Sequence, residues 1–113
     1  MCGISGFTFD PFLSHVRDDA KKCIQSMIGA SKHRGPDGDG FHIDEYIALG
    51  HARLSFRDLS VNGNQPMNYG SNNFITFNGE IYNDIDLRKA SNYQKFTSSS
   101  DTESLLISLT KLG

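Results

Sequence analysis

MCGISGFTF, residues 1–9, places a thiol one residue from the start of the chain and follows it with an alternating apolar and small pattern. Chain termini are normally frayed and exposed, so a cysteine there needs a reason. Once Met1 is cleaved off, Cys2 carries a thiol and a free α-amine on one residue. A free thiol titrates at roughly 8.5 and an α-amine at roughly 8, so the amine is matched to take the thiol proton near neutrality. The same stretch sets the first element. Ile4 alternates against polar or small neighbours through Phe9, a strand pattern that Asp10-Pro11 ends.

Working outward, Val16, Ala20, Cys23, Ile24, Met27 and Ile28 recur at helical spacing, which predicts a helix from about Ser14 to Ile28. On that stripe Cys23 reads as a buried small hydrophobe. SKHRGPDGDGF, residues 31–41, is dense in Gly, Pro and Asp and reads as a turn-rich loop. FHIDEYIALGHARLSF, residues 41–56, reads as two strands around a tight Asp44-Glu45 turn. RDLSVNGNQPMNYGSNN, residues 57–73, is a long polar loop of the kind that carries function. FITFNGEIYN, residues 74–83, is a strand running into a turn, and residues 83–91 form a short helix. Residues 98–113 carry a capping box, Ser100 with Glu103, ahead of a helix on which Leu105, Leu106, Leu109 and Leu112 share a face. Irregular alternation of strands and helices makes the class α+β.

With 113 residues, 37% hydrophobic and 21% charged, the chain has room for one globular core and not for two. A net charge of −2 gives nucleic acid or an anionic membrane no basic face to bind. Apolar runs are too short to span a bilayer, and the start lacks the basic region and apolar core of a signal peptide, which points to the cytoplasm. Two cysteines exclude a disulfide scaffold. The histidines are scattered and neither cysteine sits in a C-x-x-C pair, so no metal is expected. GPDGDG matches neither dinucleotide nor P-loop glycine spacing.

The remaining motifs gain meaning together: MCGI at the start, HRGPDG from His33, HARLS from His51, NQP from Asn64, FNGEIYN from Phe77 and SDTE from Ser100. In this order and at these spacings they resemble the N-terminal glutaminase domain of class II glutamine amidotransferases, the N-terminal-nucleophile group, and within it the asparagine synthetase branch. Other branches differ around the arginine motif. The resemblance runs from Met1 to the end of the chain. It implies a layered αββα sandwich of antiparallel sheets, incomplete in this chain, and L-glutamine as substrate.

It also implies roles for individual residues. Cys2 would attack the glutamine side-chain amide, releasing ammonia and leaving a thioester that water cleaves to glutamate. The Asn78 side-chain amide and the Gly79 N–H would hold the oxyanion. Asn78 ends an alternating strand, and Gly79 lets the backbone approach a ligand with no Cβ in the way; Asn-Gly is also the commonest hairpin turn. Arg53 would hold the α-carboxylate as a bidentate fork that lysine cannot reproduce. Asp101 would hold the α-ammonium, although an acid in the first turn of a helix is favoured regardless of ligand. Leu54, Phe56 and Glu80 would add contacts. HRGPDG is expected to support the site, with Arg34 and Asp37 pairing within the loop or bracing the floor, and NQP to border the pocket.

Two departures stand out. The branch commonly follows its Arg-Leu-Ser with two aliphatic residues and then Asp, whereas this chain has Phe56-Arg57-Asp58, which puts bulk and charge at the pocket wall. The chain also stops after the SDTE helix, with no SGGxDS-type ATP-binding loop. It therefore reads as a partial glutaminase domain, residues 1–113, without the synthetase domain. ATP and Mg are expected only for that missing domain, and this chain needs no cofactor. The alternative is a catalytically silent fragment or glutamine-binding module. Apolar positions such as Phe74, Phe77, Leu105 and Leu109 are expected to be partly uncovered, which favours self-association or pairing with the synthetase domain.

Overall fold

The computed structural model describes residues 1–13 and 16–113. Eight elements follow in order: β1 (Gly3–Thr8), α1 (Val16–Ala30), β2 (Gly38–Ile43), β3 (Ile47–Arg53), β4 (Met67–Tyr69), β5 (Asn73–Ile75), α2 (Asp84–Ser91) and α3 (Asp101–Leu112). Short 3-10 turns lie at Lys32–Arg34 and Val61–Gly63. No helix among the described residues is long and apolar enough to cross a membrane.

β3 is the central strand of an antiparallel sheet in the order β1-β3-β2, with Gly3 opposite Ala52 and Gly38 opposite Arg53. β4 and β5 form a separate antiparallel ribbon. α1 lies on all three strands of the first sheet, while α3 packs on the ribbon with α2 against it. The ribbon side meets the first sheet where the Phe74 ring stacks on His42, centroids 3.6 Å apart, and the Thr76 hydroxyl donates to the Gly50 carbonyl at 3.4 Å. The layers therefore run helix, sheet, sheet, helix, an α+β arrangement of antiparallel sheets in keeping with the expected sandwich.

The two halves cohere by different means. Under α1 the core is apolar: Ile24, Ile28, Ala48 and Ala52 are buried, with Phe7, Phe9, Met27 and Ile43 packed around them. Small side chains at Ala48, Gly50 and Ala52 let the helix approach the central strand closely. Around α3 the buried set is polar, namely Asp101, Thr102, Glu103, Ser104 and Ser108 beside Leu106 and Ile107.

Several expectations change. α1 runs on to Ala30, and its expected start at Ser14 lies outside the described residues. Cys23 is exposed, not buried, because Ala20, Ile24 and Ile28 define the contact face and Cys23 falls outside it. On β1 the residues turned to α1 are Gly3, Ser5 and Phe7, leaving Ile4 half exposed on the other face. The glycine-rich segment is only partly loop, since Gly38 and Gly40 belong to β2. The long polar stretch contains β4 and the Val61–Gly63 turn.

The capping box is half formed. The Ser100 hydroxyl accepts from the Thr102 N–H at 3.2 Å. Glu103 instead turns to the preceding segment, accepting from the backbone and hydroxyl groups of Thr97 and Ser98 at 2.6–3.1 Å. Of the expected leucine face, Leu106 is buried, Leu105 half-buried, and Leu109 and Leu112 are exposed. Phe74 and Phe77 are half-buried.

Asp58 ties the loop after β3 to the segment before α3. It accepts from the Ser60 hydroxyl at 2.5 Å, the Ser60 N–H at 2.8 Å and the Ser99 N–H at 2.8 Å. These bonds, the Ser60 hydroxyl foremost, lower its pKa to about 2.

Two outcomes follow from this packing. Ile24→Ala removes a fully buried side chain facing β3 and should lower the unfolding free energy by about 2–5 kcal/mol, read by urea denaturation; a loss under about 0.5 kcal/mol would contradict the core as described. For Asp58 the folded pKa lies below the unfolded value of roughly 3.9, so its contribution is full above about pH 5 and is lost as pH falls towards 2. The melting-temperature gap between the wild type and Asp58→Asn should therefore be constant above about pH 5 and close below about pH 4. A gap that widens on acidification would refute the tether.

Candidate active site

β3 carries two kinds of residue on its two faces. Ala48, Gly50 and Ala52 serve the core, and the alternate positions Leu49, His51 and Arg53 point away from α1. The β1–β3 register, in which Gly3 faces Ala52, brings Cys2 to the end of the strand beside Arg53 and Leu54. There the Leu54 N–H donates to the Cys2 sulfur at 3.3 Å, and the thiol lies 3.6 Å from the Leu54 carbonyl. Cys2 is half-buried and unbonded to Cys23.

Cys2 opens onto a cavity of about 480 Å³ whose lining also includes Arg53, Leu54, Phe56, Asn78, Gly79, Glu80 and Asp101. The residues given a catalytic or substrate-contacting role in the sequence thus border one space, while Arg34, Asp37 and Asn64 of the supporting motifs do not line it. That size suits a small metabolite. Phe56 is largely exposed at its rim, and Met1 also borders it.

Arg53 is buried, and its guanidinium is held by the loop that follows it. Nη1 donates to the Ser60 carbonyl and to Asn64 Oδ1, both at 2.7 Å, and Nη2 donates to the Asp58 carbonyl. Gly63 makes room for this, since a Cβ there would collide with Arg53 Nη2. Among the described residues three of the five Arg53 N–H donors are used, which leaves two on the guanidinium. Asp37 also braces this region. It accepts from the Ser55 N–H at 2.8 Å, and its own N–H donates to the Arg53 carbonyl at 2.9 Å, a bracing role in place of the alternative pairing with Arg34.

Asn78 and Gly79 are neither a strand end nor a hairpin turn. β5 stops at Ile75, and the chain continues as irregular loop to α2. The loop is fixed by Gln65, whose Oε1 accepts from the Phe77 N–H at 2.6 Å while its Nε2 donates to the Thr102 hydroxyl at 3.1 Å. Gly79 accommodates the Phe77 ring, which would sit 2.7 Å from an added Cβ. Its missing Cβ therefore serves local packing as well as any ligand.

Asp101 is buried in the first turn of α3, where Oδ2 accepts from the Ile81 N–H at 2.8 Å. Arg57 stands near, its Nη1 4.0 Å from Asp101 Oδ2 while its Nη2 bonds buried Asp84 at 3.0 Å. The hydrogen bond to Asp84 is the main cause of a raised Arg57 pKa, with the Asp84, Asp101 and Glu80 charges adding to it.

His51 was not singled out for a role, yet it lines the cavity and is 1% exposed. Burial lowers its pKa, the Arg53 charge lowers it further, and the Phe77 backbone opposes at a geometry too poor for a hydrogen bond. The ring is therefore neutral near pH 7. Its signal in the sequence was parity: two residues before Arg53 on one strand is the same face. Gln65 and Thr102 also line the cavity. Both stand in the quoted motifs, but their mutual bond spans 37 residues and no local pattern encodes it.

Residues 1–113 match the family described as Glutamine amidotransferase domain. The chain is 43% identical over 111 residues to asparagine synthetase [glutamine-hydrolyzing] 1 of Bacillus subtilis, covering 94% of this chain and 17% of that protein. It is 36% identical to putative asparagine synthetase [glutamine-hydrolyzing] 2 of Methanocaldococcus jannaschii, covering 100% and 24%. It is 38% identical to amidase chry2 of Gibberella zeae, covering 98% and 18%. The chain thus spans between a sixth and a quarter of the length of these relatives, and it belongs to the glutamine amidotransferase domain family.

Proposed function

We propose that this chain hydrolyses L-glutamine to glutamate and ammonia through a thioester on Cys2. The observation that carries the reading is the convergence of Cys2, Arg53, Asn78, Gly79 and Asp101 on one cavity, from four separate stretches of sequence. With Met1 removed, the Cys2 α-amine takes the thiol proton as the sulfur attacks the side-chain amide carbon of glutamine. The carbonyl electrons move to oxygen, where the Asn78 amide and the Gly79 N–H donate to the oxyanion. The amine then delivers its proton to the departing nitrogen, and the C–N bond breaks to release ammonia. Water attacks the resulting thioester, glutamate leaves and the thiol is restored.

Substrate recognition is assigned by charge. The two remaining N–H donors of Arg53 receive the α-carboxylate as a pair, and Asp101 receives the α-ammonium with the lone pairs not used by Ile81. Leu54, Phe56 and Glu80 complete the walls. In the protein as a whole, residues 1–113 act as a glutaminase domain whose ammonia is destined for an asparagine synthetase-type acceptor domain. The names and lengths of the relatives support this. A cytoplasmic site of action suits a catalytic thiol that must stay reduced.

Cys2→Ala should abolish glutamine hydrolysis, with glutamate formation at least about a thousandfold below wild type and an unchanged melting curve. Turnover near the wild-type rate would refute Cys2 as the nucleophile. Mass spectrometry of the purified N-terminus should find Met1 absent in the active form. Glutamine should also bind more tightly than its N-acetylated form, which lacks the ammonium. Equal affinity for the two by calorimetry would overturn the role of Asp101.

A further inference from the structure

We propose that Asp84, which does not line the cavity, governs glutamine affinity by holding the Arg57 guanidinium off Asp101. The inference rests on the reading of the cavity as a glutamine site and names a control on that site. Arg57 is a cavity-lining cation with acidic neighbours. It bonds Asp84 at 3.0 Å and stops 4.0 Å short of Asp101, outside hydrogen-bond range. Asp84 is the first residue of α2 and is 5% exposed, so removing its cationic partner would leave a buried charge unpaired. That requirement anchors Arg57 on the α2 side.

The consequence falls on Asp101. One of its oxygens accepts from Ile81, and an ionised carboxylate has further lone pairs to offer. They stay available to an ammonium only while Arg57 is engaged elsewhere. If Asp84 loses its charge, the carboxylate next to the guanidinium is Asp101, about 1 Å beyond contact distance, and a small side-chain rotation closes the pair. A closed Arg57–Asp101 pair opposes the ammonium by direct competition. Arg57 and Asp84 are positioning residues in this scheme, since neither is assigned a contact with the reacting atoms.

The test is a double-mutant comparison in the full polypeptide, with glutamine as the probe, reading KM, kcat and a thermal melt. Asp84→Asn should raise KM about tenfold or more while kcat changes less than about twofold, the pattern of lost uniform binding. Adding Arg57→Gln to Asp84→Asn removes the competing cation and should bring KM back to within about threefold of wild type. Asp84→Glu keeps the charge and should stay within the same range. Asp84→Ser, alone and with Arg57→Gln, provides the same comparison should Asp84→Asn fail to melt cooperatively. An Asp84→Asn KM equal to wild type overturns the proposal, as does a double variant as weak as the single, which is the outcome of a merely structural role for Asp84. A wild-type protein that neither binds nor turns over glutamine fails the functional reading itself, and this assignment with it.

Discussion

The first turn of α3 organises everything on the ribbon side of the molecule. Four consecutive polar residues there are buried, and each holds a different segment. Asp101 takes the Ile81 N–H, Thr102 receives Gln65, which in turn holds Phe77, Glu103 gathers Thr97 and Ser98, and Ser104 receives the Arg88 guanidinium at 2.7 Å. Arg88 goes on to the Ser100 carbonyl at 2.8 Å and lies over the Phe96 ring at 4.2 Å. A helix start offers unpaired N–H groups and a positive dipole end, which makes buried acids tolerable at this place and costly almost anywhere else. The loops carrying Asn78, Gly79 and Glu80 have no sheet of their own to hold them, so their positions derive from this one turn.

The opposite half depends on a different force. Ile24 and Ile28 of α1 pack on the small side chains of β3, and that apolar contact fixes the strand whose other face carries His51 and Arg53. One side of the cavity thus rests on a rigid central strand and the other on hydrogen-bonded loops. The two are joined through the segment from Asp58 to Gln65, where Arg53 is held by backbone carbonyls and Gln65 bridges to Phe77. Catalytic geometry needs such second contacts, because a misplacement on the order of 1 Å can cost a hundredfold in rate.

What the sequence made legible was whatever depends on neighbours in sequence. Period-two patterns found β1, β3 and the Asp44-Glu45 turn, period-three-to-four patterns found α1 and α3, and motif order identified the family and eight of the residues that line the cavity. Long-range polar pairing was not legible. Glu103 looked like half of a capping box because three-residue spacing is the signal for one, but Thr97 and Ser98 offered it four donors against one. Cys23 looked buried because helical spacing cannot say how wide the covered stripe is, and here it covers Ala20, Ile24 and Ile28 and part of Met27 but stops short of Cys23. Gly38 and Gly40 looked like loop because glycine is a turn signal, whereas pairing with β3 drew both into a strand.

Arg57 shows where sequence and structure have to be read together. In the sequence it was a charge at a position where the resembling branch commonly carries an aliphatic residue, and so a departure at the pocket wall. In the structure that charge has a partner. Asp84, 27 residues away, is buried and bonded to it, so the guanidinium lies against the cavity without being free in it. A lone cation beside Asp101 would oppose the binding of any amino acid through its ammonium. A cation already claimed by a buried carboxylate leaves the local balance with Asp84, Asp101 and Glu80 against Arg57, two negative charges in excess. The sign of that balance suits an ammonium ligand, and it persists only as long as the pair does.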